Sequence, residues 1–139
     1  MKKAVIVIQS NSKTTKRFGE EIANFLLKRG LAAELIPINR FEPKKLEGAD
    51  YLLLSGWRND HLFSTRKPDS EWAAFVKQLP TLNGIKTAVF TTYKLFSNSV
   101  LKRMKKYLSN KTEDLEFAFT SRDGSLSIPE KMAINDFIR

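Results

Sequence analysis

The chain has 139 residues, a formal charge of +9, no cysteine and a single histidine, His61. Its 42% hydrophobic and 28% charged content suffices for one ordinary core and argues against extended disorder. The lack of cysteine excludes a disulfide scaffold, a thiolate nucleophile and Cys-based zinc or iron–sulfur sites, and one histidine excludes a multi-His metal centre.

The opening Met1-Lys2-Lys3 leads into Ala4–Gln9 (AVIVIQ), a continuous β-branched run of the kind that forms a strand buried on both faces. Its apolar part, Ala4–Ile8, is too short for a secretion signal or a membrane span, so a cytoplasmic protein without a membrane anchor is expected. Lys16–Arg29 follows with Phe18, Ile22, Phe25 and Leu26 at helical spacing and Gly30 in the C-terminal capping position. Ala33–Ile38 (AELIPI) reads as a second strand, and Pro37, which removes a ladder donor, places it at a sheet edge. A weak helix fits near Pro43–Glu47. Ala49–Ser55 (ADYLLLS) is a third strand, and Ser70–Leu79 (SEWAAFVKQL) a short helix with Trp72, Phe75, Val76 and Leu79 on one side.

Thr87–Thr91 (TAVFT), led in by Asn83-Gly84, is the fourth strand. The helix Ser99–Leu108 (SVLKRMKKYL) carries Val100, Leu101, Met104, Tyr107 and Leu108 as its apolar stripe. Leu115–Thr120 (LEFAFT) makes a fifth strand, with a turn at Asp123-Gly124. The last helix, about Ile128–Ile138, starts with a capping box in which Ser127 and Glu130 can satisfy each other's backbone donors. With no internal repeat, low-complexity stretch or linker, a single domain over 1–139 is expected.

Apolar, non-alternating strands interleaved with helices predict an α/β fold: a five-stranded parallel sheet with helices on both faces, a three-layer α/β/α sandwich. The edge character of the second strand favours the order 2-1-3-4-5. Ligands of such sheets bind beyond the carboxyl ends of the strands, at the switch point between strands 1 and 3. The loops that bear on function are therefore 10–15, 55–68, 91–98 and 120–127.

The first of these, Ser10-Asn11-Ser12-Lys13-Thr14-Thr15, gathers hydroxyls, an amide and a cation between a buried strand and a helix start, with Lys16 and Arg17 following. Outward-pointing amides at a helix N-terminus favour an anion, and hydroxyl donors there can wrap phosphate oxygens. The loop after the third strand is Ser55-Gly56-Trp57-Arg58-Asn59-Asp60-His61, where an indole directly after glycine is poorly placed for the core and suited to stack on a planar ligand. Thr91-Thr92-Tyr93-Lys94 offers a second aromatic from the neighbouring strand end. His61, alone on a polar loop, reads as solvent-facing.

Other uses of this architecture lack their residues. A phospho-receiver needs an acidic cluster after the first strand and an aspartate ending the third, where Gln9-Ser10 and Ser55-Gly56 stand instead. A low-molecular-weight phosphatase needs a first-loop cysteine. Neither G-x-G-x-x-G nor G-x-x-x-x-G-K-[ST] occurs, so dinucleotide and P-loop readings lose their main support.

What remains resembles the flavodoxins. Ser10 to Thr15 is similar to their phosphate loop, [Thr/Ser]-x-[Thr/Ser]-Gly-x-Thr, and Trp57 falls where that family often has an aromatic after strand 3. Thr91-Thr92-Tyr93 falls where the family supplies its other flavin contacts, and the cadence from Leu82 to Tyr93 resembles it too. The resemblance covers essentially the whole chain and implies a flavodoxin-like domain binding FMN, in electron transfer or as a small flavin-dependent oxidoreductase. It implies phosphate on Ser10, Asn11, Ser12, Lys13, Thr14 and Thr15, the ring between Trp57 and Tyr93, and its edge against Ser55, Gly56, Arg58, Thr91, Thr92 and Lys94.

Two departures stand out: Lys13 replaces the loop glycine, and the chain is basic where electron-carrying flavodoxins are acidic. Lys94, Lys102, Arg103, Lys105, Lys106 and Lys111 follow one another without an intervening acid. A redox partner with an acidic surface fits this charge. The alternative is a binding module that keeps the fold, has lost the flavin and docks an acidic partner through the basic helix. Nucleic acid is disfavoured, because no strand interleaves aromatic and basic residues.

Overall fold

The computed structural model describes residues 1–9, 13–55, 66–92, 97–112, 115 and 117–139. Five strands, β1 (Lys3–Ile8), β2 (Ala32–Pro37), β3 (Tyr51–Ser55), β4 (Lys86–Thr92) and β5 (Phe117–Ser121), form one sheet in the order β2-β1-β3-β4-β5. All four pairings are parallel. The helices between them are α1 (Lys13–Lys28), α2 (Arg66–Gln78), α3 (Ser97–Leu108) and α4 (Ile128–Phe137). The fold class and strand order are those the sequence predicts, with Pro37 at the end of the edge strand β2, opposite Ile8.

Successive strand residues point to opposite faces, and the chain uses both. Val5, Val7, Leu52, Leu54 and Val89 pack under α2 and α3, against Trp72, Phe75, Val76, Leu79, Met104 and Leu108. Ala4, Ile6, Ile8, Leu53, Ala88, Phe90 and Phe119 pack under α1 and α4, against Phe18, Ile22, Leu26, Ile134 and Phe137. This double burial explains why the strands read as apolar runs and not as alternating ones.

Local signals set most element ends. Gly30, at φ +87°, closes α1 in a Schellman motif: its N–H reaches Leu27 O (3.1 Å) and that of Leu31 reaches Leu26 O (3.1 Å). The weak helix appears as a 3₁₀ turn, Pro43–Leu46. Helix α2 begins four residues before the predicted Ser70, at Arg66. Pro68 lies in its first turn, where a missing N–H leaves no hydrogen bond unmade. Half of the predicted capping box forms at α4: Ser127 Oγ accepts from Glu130 N at 3.4 Å. The Glu130 carboxyl is instead raised above its ordinary range by burial, opposed by a hydrogen bond from the Thr120 backbone on the open edge of β5.

The turn between β5 and α4 is tied inward on itself. Ser121 Oγ donates to Ser125 O (2.7 Å) and accepts from Gly124 N (2.9 Å), while Asp123 Oδ1 accepts from the Ser125 hydroxyl (2.6 Å) and N–H (2.9 Å). The Ser125 hydroxyl first, and its N–H second, hold the Asp123 carboxyl below its ordinary value of 3.8. Its contribution to stability is therefore present above that value and lost as pH falls through the lower folded one. Asp123→Asn is expected to flatten the acid limb of a melting-temperature profile. An unchanged acid limb would show that this turn does not titrate with folding.

Candidate functional site

Strands β1, β3 and β4 end side by side, and their carboxyl edge is polar although it is buried. Apart from Thr87, every buried polar residue among the described ones lies at the carboxyl ends of β1, β3, β4 and β5 or in the first turn of α1: Gln9, Thr15, Ser55, Thr91, Thr92 and Ser121. Burying hydroxyls and an amide is unfavourable unless each finds a partner, so the bonds among them define the site. Gln9 N donates to Ser55 Oγ at 2.8 Å, joining the ends of β1 and β3. The hydroxyls of Thr15 and Thr92 meet at 2.7 Å and join the start of α1 to the end of β4. Thr91 Oγ1 donates to Thr92 O at 3.2 Å. Beneath them the fully buried Trp72 donates from Nε1 to Ser55 O at 2.9 Å.

The chain leaves β1 toward α1 on one face of the sheet and leaves β3 toward α2 on the other. The junction of β1 and β3 is thus the topological switch point, where a crevice is expected in a sheet of this order. Helix α1 starts there with no acidic residue in its first turn, and Lys13, Lys16 and Arg17 are exposed around its positive end. Lys13 is the first residue of α1, on right-handed helical backbone, so a lysine carries no left-handed strain at that position. Helix α3 also starts from the carboxyl edge without an acid in its first turn.

Of the residues singled out from the sequence, the structure brings together Thr15, Ser55, Thr91 and Thr92 and sets Lys13 and Thr14 beside them on α1. Ser10, Asn11, Ser12, Gly56, Trp57, Arg58, His61, Tyr93 and Lys94 lie outside the described residues. Three contributors were not singled out as site residues. Gln9 closes the predicted first strand, and an amide ending the otherwise apolar AVIVIQ run is the signal that could mark it. Trp72 lies on the predicted apolar side of its helix, and nothing in the sequence marks its bond to Ser55. Gly124 lies in the loop 120–127 that the fold points to without any residue of it being marked; an added Cβ there would lie 2.7 Å from Thr14 O, so this turn presses on the first turn of α1.

Chemically, the edge offers hydroxyls, exposed cations and a helix N-terminus suited to an anion, together with one buried acceptor that has no partner, Gln9 Oε1. A ligand combining an anionic group with hydrogen-bond donors fits these residues. Among the described residues no cluster of His, Asp or Glu could hold a metal ion, and no helix is long and apolar enough to cross a membrane. A groove of about 370 Å³ between α1 and α4, floored by Phe25 and Leu126, contains none of the candidate residues.

No protein-family profile and no curated protein matches the sequence. Solved structures do match the fold. The chain is similar to a flavodoxin of Streptococcus pneumoniae TIGR4 over 97% of its length and 94% of that protein's, at 14% identity and a TM-score of 0.71. It is similar to the two-electron reduced flavodoxin of Megasphaera elsdenii (96% of each chain, 14% identity, TM-score 0.72). It is also similar to a Fusobacterium nucleatum flavodoxin bound to flavin mononucleotide, over 99% of this chain and 95% of that one, at 16% identity and a TM-score of 0.64. The fold is flavodoxin-like.

Proposed function

We propose that this protein binds FMN at the carboxyl edge of its sheet and serves in electron transfer or as a small flavin-dependent oxidoreductase of the cytoplasm. The observation that carries the reading is the concentration of buried polar side chains at that edge, beside a cation-bearing helix start free of acids. The flavodoxin-like fold supports it by analogy, because function resides in sites and not in folds. Bound FMN would supply the redox chemistry; the protein supplies binding, orientation and electrostatics.

Each part of the chain then has a task. The α1 N-terminus, with Ser10, Asn11, Ser12, Lys13 and Thr14, holds the phosphate through amides, hydroxyls and one ammonium. Thr15, through its bond to Thr92, locks α1 onto β4 and keeps that cradle in place. Trp57 and Tyr93 flank the ring, while Ser55, Gly56, Arg58, Thr91 and Lys94 line its edge. The positive charge of the chain suits a redox partner with an acidic surface.

Titration of ligand-free protein with FMN is expected to quench flavin fluorescence at micromolar concentrations. Trp57→Ala is expected to weaken binding roughly ten- to hundredfold, the scale of a lost aromatic stack. Absence of quenching in the unaltered protein would contradict the proposal.

A second reading has its own observation. Helix α3 buries Met104 and Leu108 while Lys102 and Lys106 face solvent, a basic surface on which an acidic protein could dock without any flavin. A colourless protein that takes up no FMN, yet binds an acidic partner with affinity falling steeply in salt, would favour this module.

A further inference from the structure

Among the described residues, the buried side-chain polar atom without a hydrogen-bond partner is the amide oxygen of Gln9. The residue is only 6% exposed and follows directly on the buried apolar run Ala4–Ile8. An unpaired buried acceptor penalises the folded state, whereas an apolar side chain of the same size would not. Such a group is explained when something else supplies the donor.

The surroundings narrow what that donor is. The Gln9 backbone N–H is committed to Ser55 Oγ, which fixes the residue between the loop leaving β1 and the loop leaving β3. On the reading proposed above, the first loop holds a phosphate and the second flanks a flat ring. The segment joining phosphate to ring must then cross the β1–β3 junction. A phosphate dianion offers only acceptors and cannot pair with an amide oxygen. The face of the ring offers no N–H or O–H, and its N3–H lies at the edge remote from the chain that leads to the phosphate. The joining segment of FMN is a polyol, and each hydroxyl is a donor. We infer that Gln9 Oε1 accepts a hydrogen bond from a hydroxyl of that polyol and selects for ligands that carry it. This inference rests on the FMN reading and adds a specificity residue to it.

The test uses Gln9→Met, which keeps the length of the side chain and removes the acceptor. Two probes are titrated into the unaltered and variant proteins: FMN, and an FMN analogue whose polyol hydroxyls are replaced by hydrogen. Ligand-free melting temperatures are measured alongside. Gln9→Met is expected to melt higher when ligand-free, to bind FMN roughly tenfold more weakly, and to bind the analogue as the unaltered protein does. Equal FMN affinity of the two proteins would overturn the Gln9 assignment and leave the FMN site standing. Equal losses for both probes would also overturn it, since Gln9 would then act through packing. A lower melting temperature of the ligand-free variant would show that Oε1 is already satisfied and would overturn it too. If the unaltered protein bound no FMN, the site reading itself would fall, and the assignment with it.

Discussion

Replacing Trp72 by alanine is expected to lower the unfolding free energy by about 3–5 kcal/mol, a large share of what a domain of this size possesses. The indole has no exposed surface and packs against the rings of Phe75 and Tyr107, at centroid distances of 6.3 and 5.9 Å. Its truncation opens a cavity under the sheet and also removes the donor to Ser55 O. Trp72→Phe separates the two effects. It keeps most of the apolar volume but leaves a buried carbonyl without that donor, at a cost of about 1–3 kcal/mol. Both variants are read by chemical denaturation. A loss under about 1 kcal/mol for Trp72→Ala would mean that the site collapses around the gap or that the packing described above is wrong. Because Ser55 is the last residue of β3, Trp72→Phe is also expected to weaken FMN binding while the fold persists.

Gly124→Ala is expected to cost roughly 2–4 kcal/mol, from two sources that add. Gly124 has φ +88°, a conformation that side-chain-bearing residues resist, and its new Cβ would meet Thr14 O at 2.7 Å and Arg17 Cβ at 3.1 Å. Relief requires the β5–α4 turn to withdraw from α1 or α1 to shift, and either movement disturbs the helix start proposed to hold phosphate. Loss of FMN affinity is therefore expected together with loss of stability. Gly30→Ala is the control: its φ is +87°, but an added Cβ there meets nothing within 4 Å, so it should cost about 1–2 kcal/mol and leave FMN binding unchanged. Equal costs for the two variants would mean that the Thr14 contact carries no energy.

Much of this architecture was readable in the residues because local signals and tertiary packing agree. The strands are apolar on both faces because helices cover both faces, and Pro37 sits at an edge because a central strand would need its N–H. Gly30 stops α1 by the geometry that the sequence pattern implies. Helix α2 starts four residues before the segment its apolar stripe marks, and Pro68 permits this because in a first turn it breaks no hydrogen bond.

The site was less readable, since its parts meet across long sequence separations. Thr15 and Thr92 are individually unremarkable threonines, and only the fold brings their hydroxyls together. The Trp72 bond to Ser55 depends on how a helix face settles over a strand end, which periodicity does not encode. Gln9 shows a different limit. An amide ending an apolar strand is visible in the sequence, but that it is buried and unpaired emerges only from packing.

The central claim, that the carboxyl edge of the sheet receives the flavin, is tested most directly by following backbone amide NMR shifts as FMN is added to the ligand-free protein. Residues Gln9, Lys13, Thr14, Thr15, Ser55, Thr91 and Thr92 are expected to move. Ala32, Asp50 and Lys86, at the opposite ends of the strands, are expected to stay. Shifts confined to α3, or none at saturating FMN, would contradict the claim.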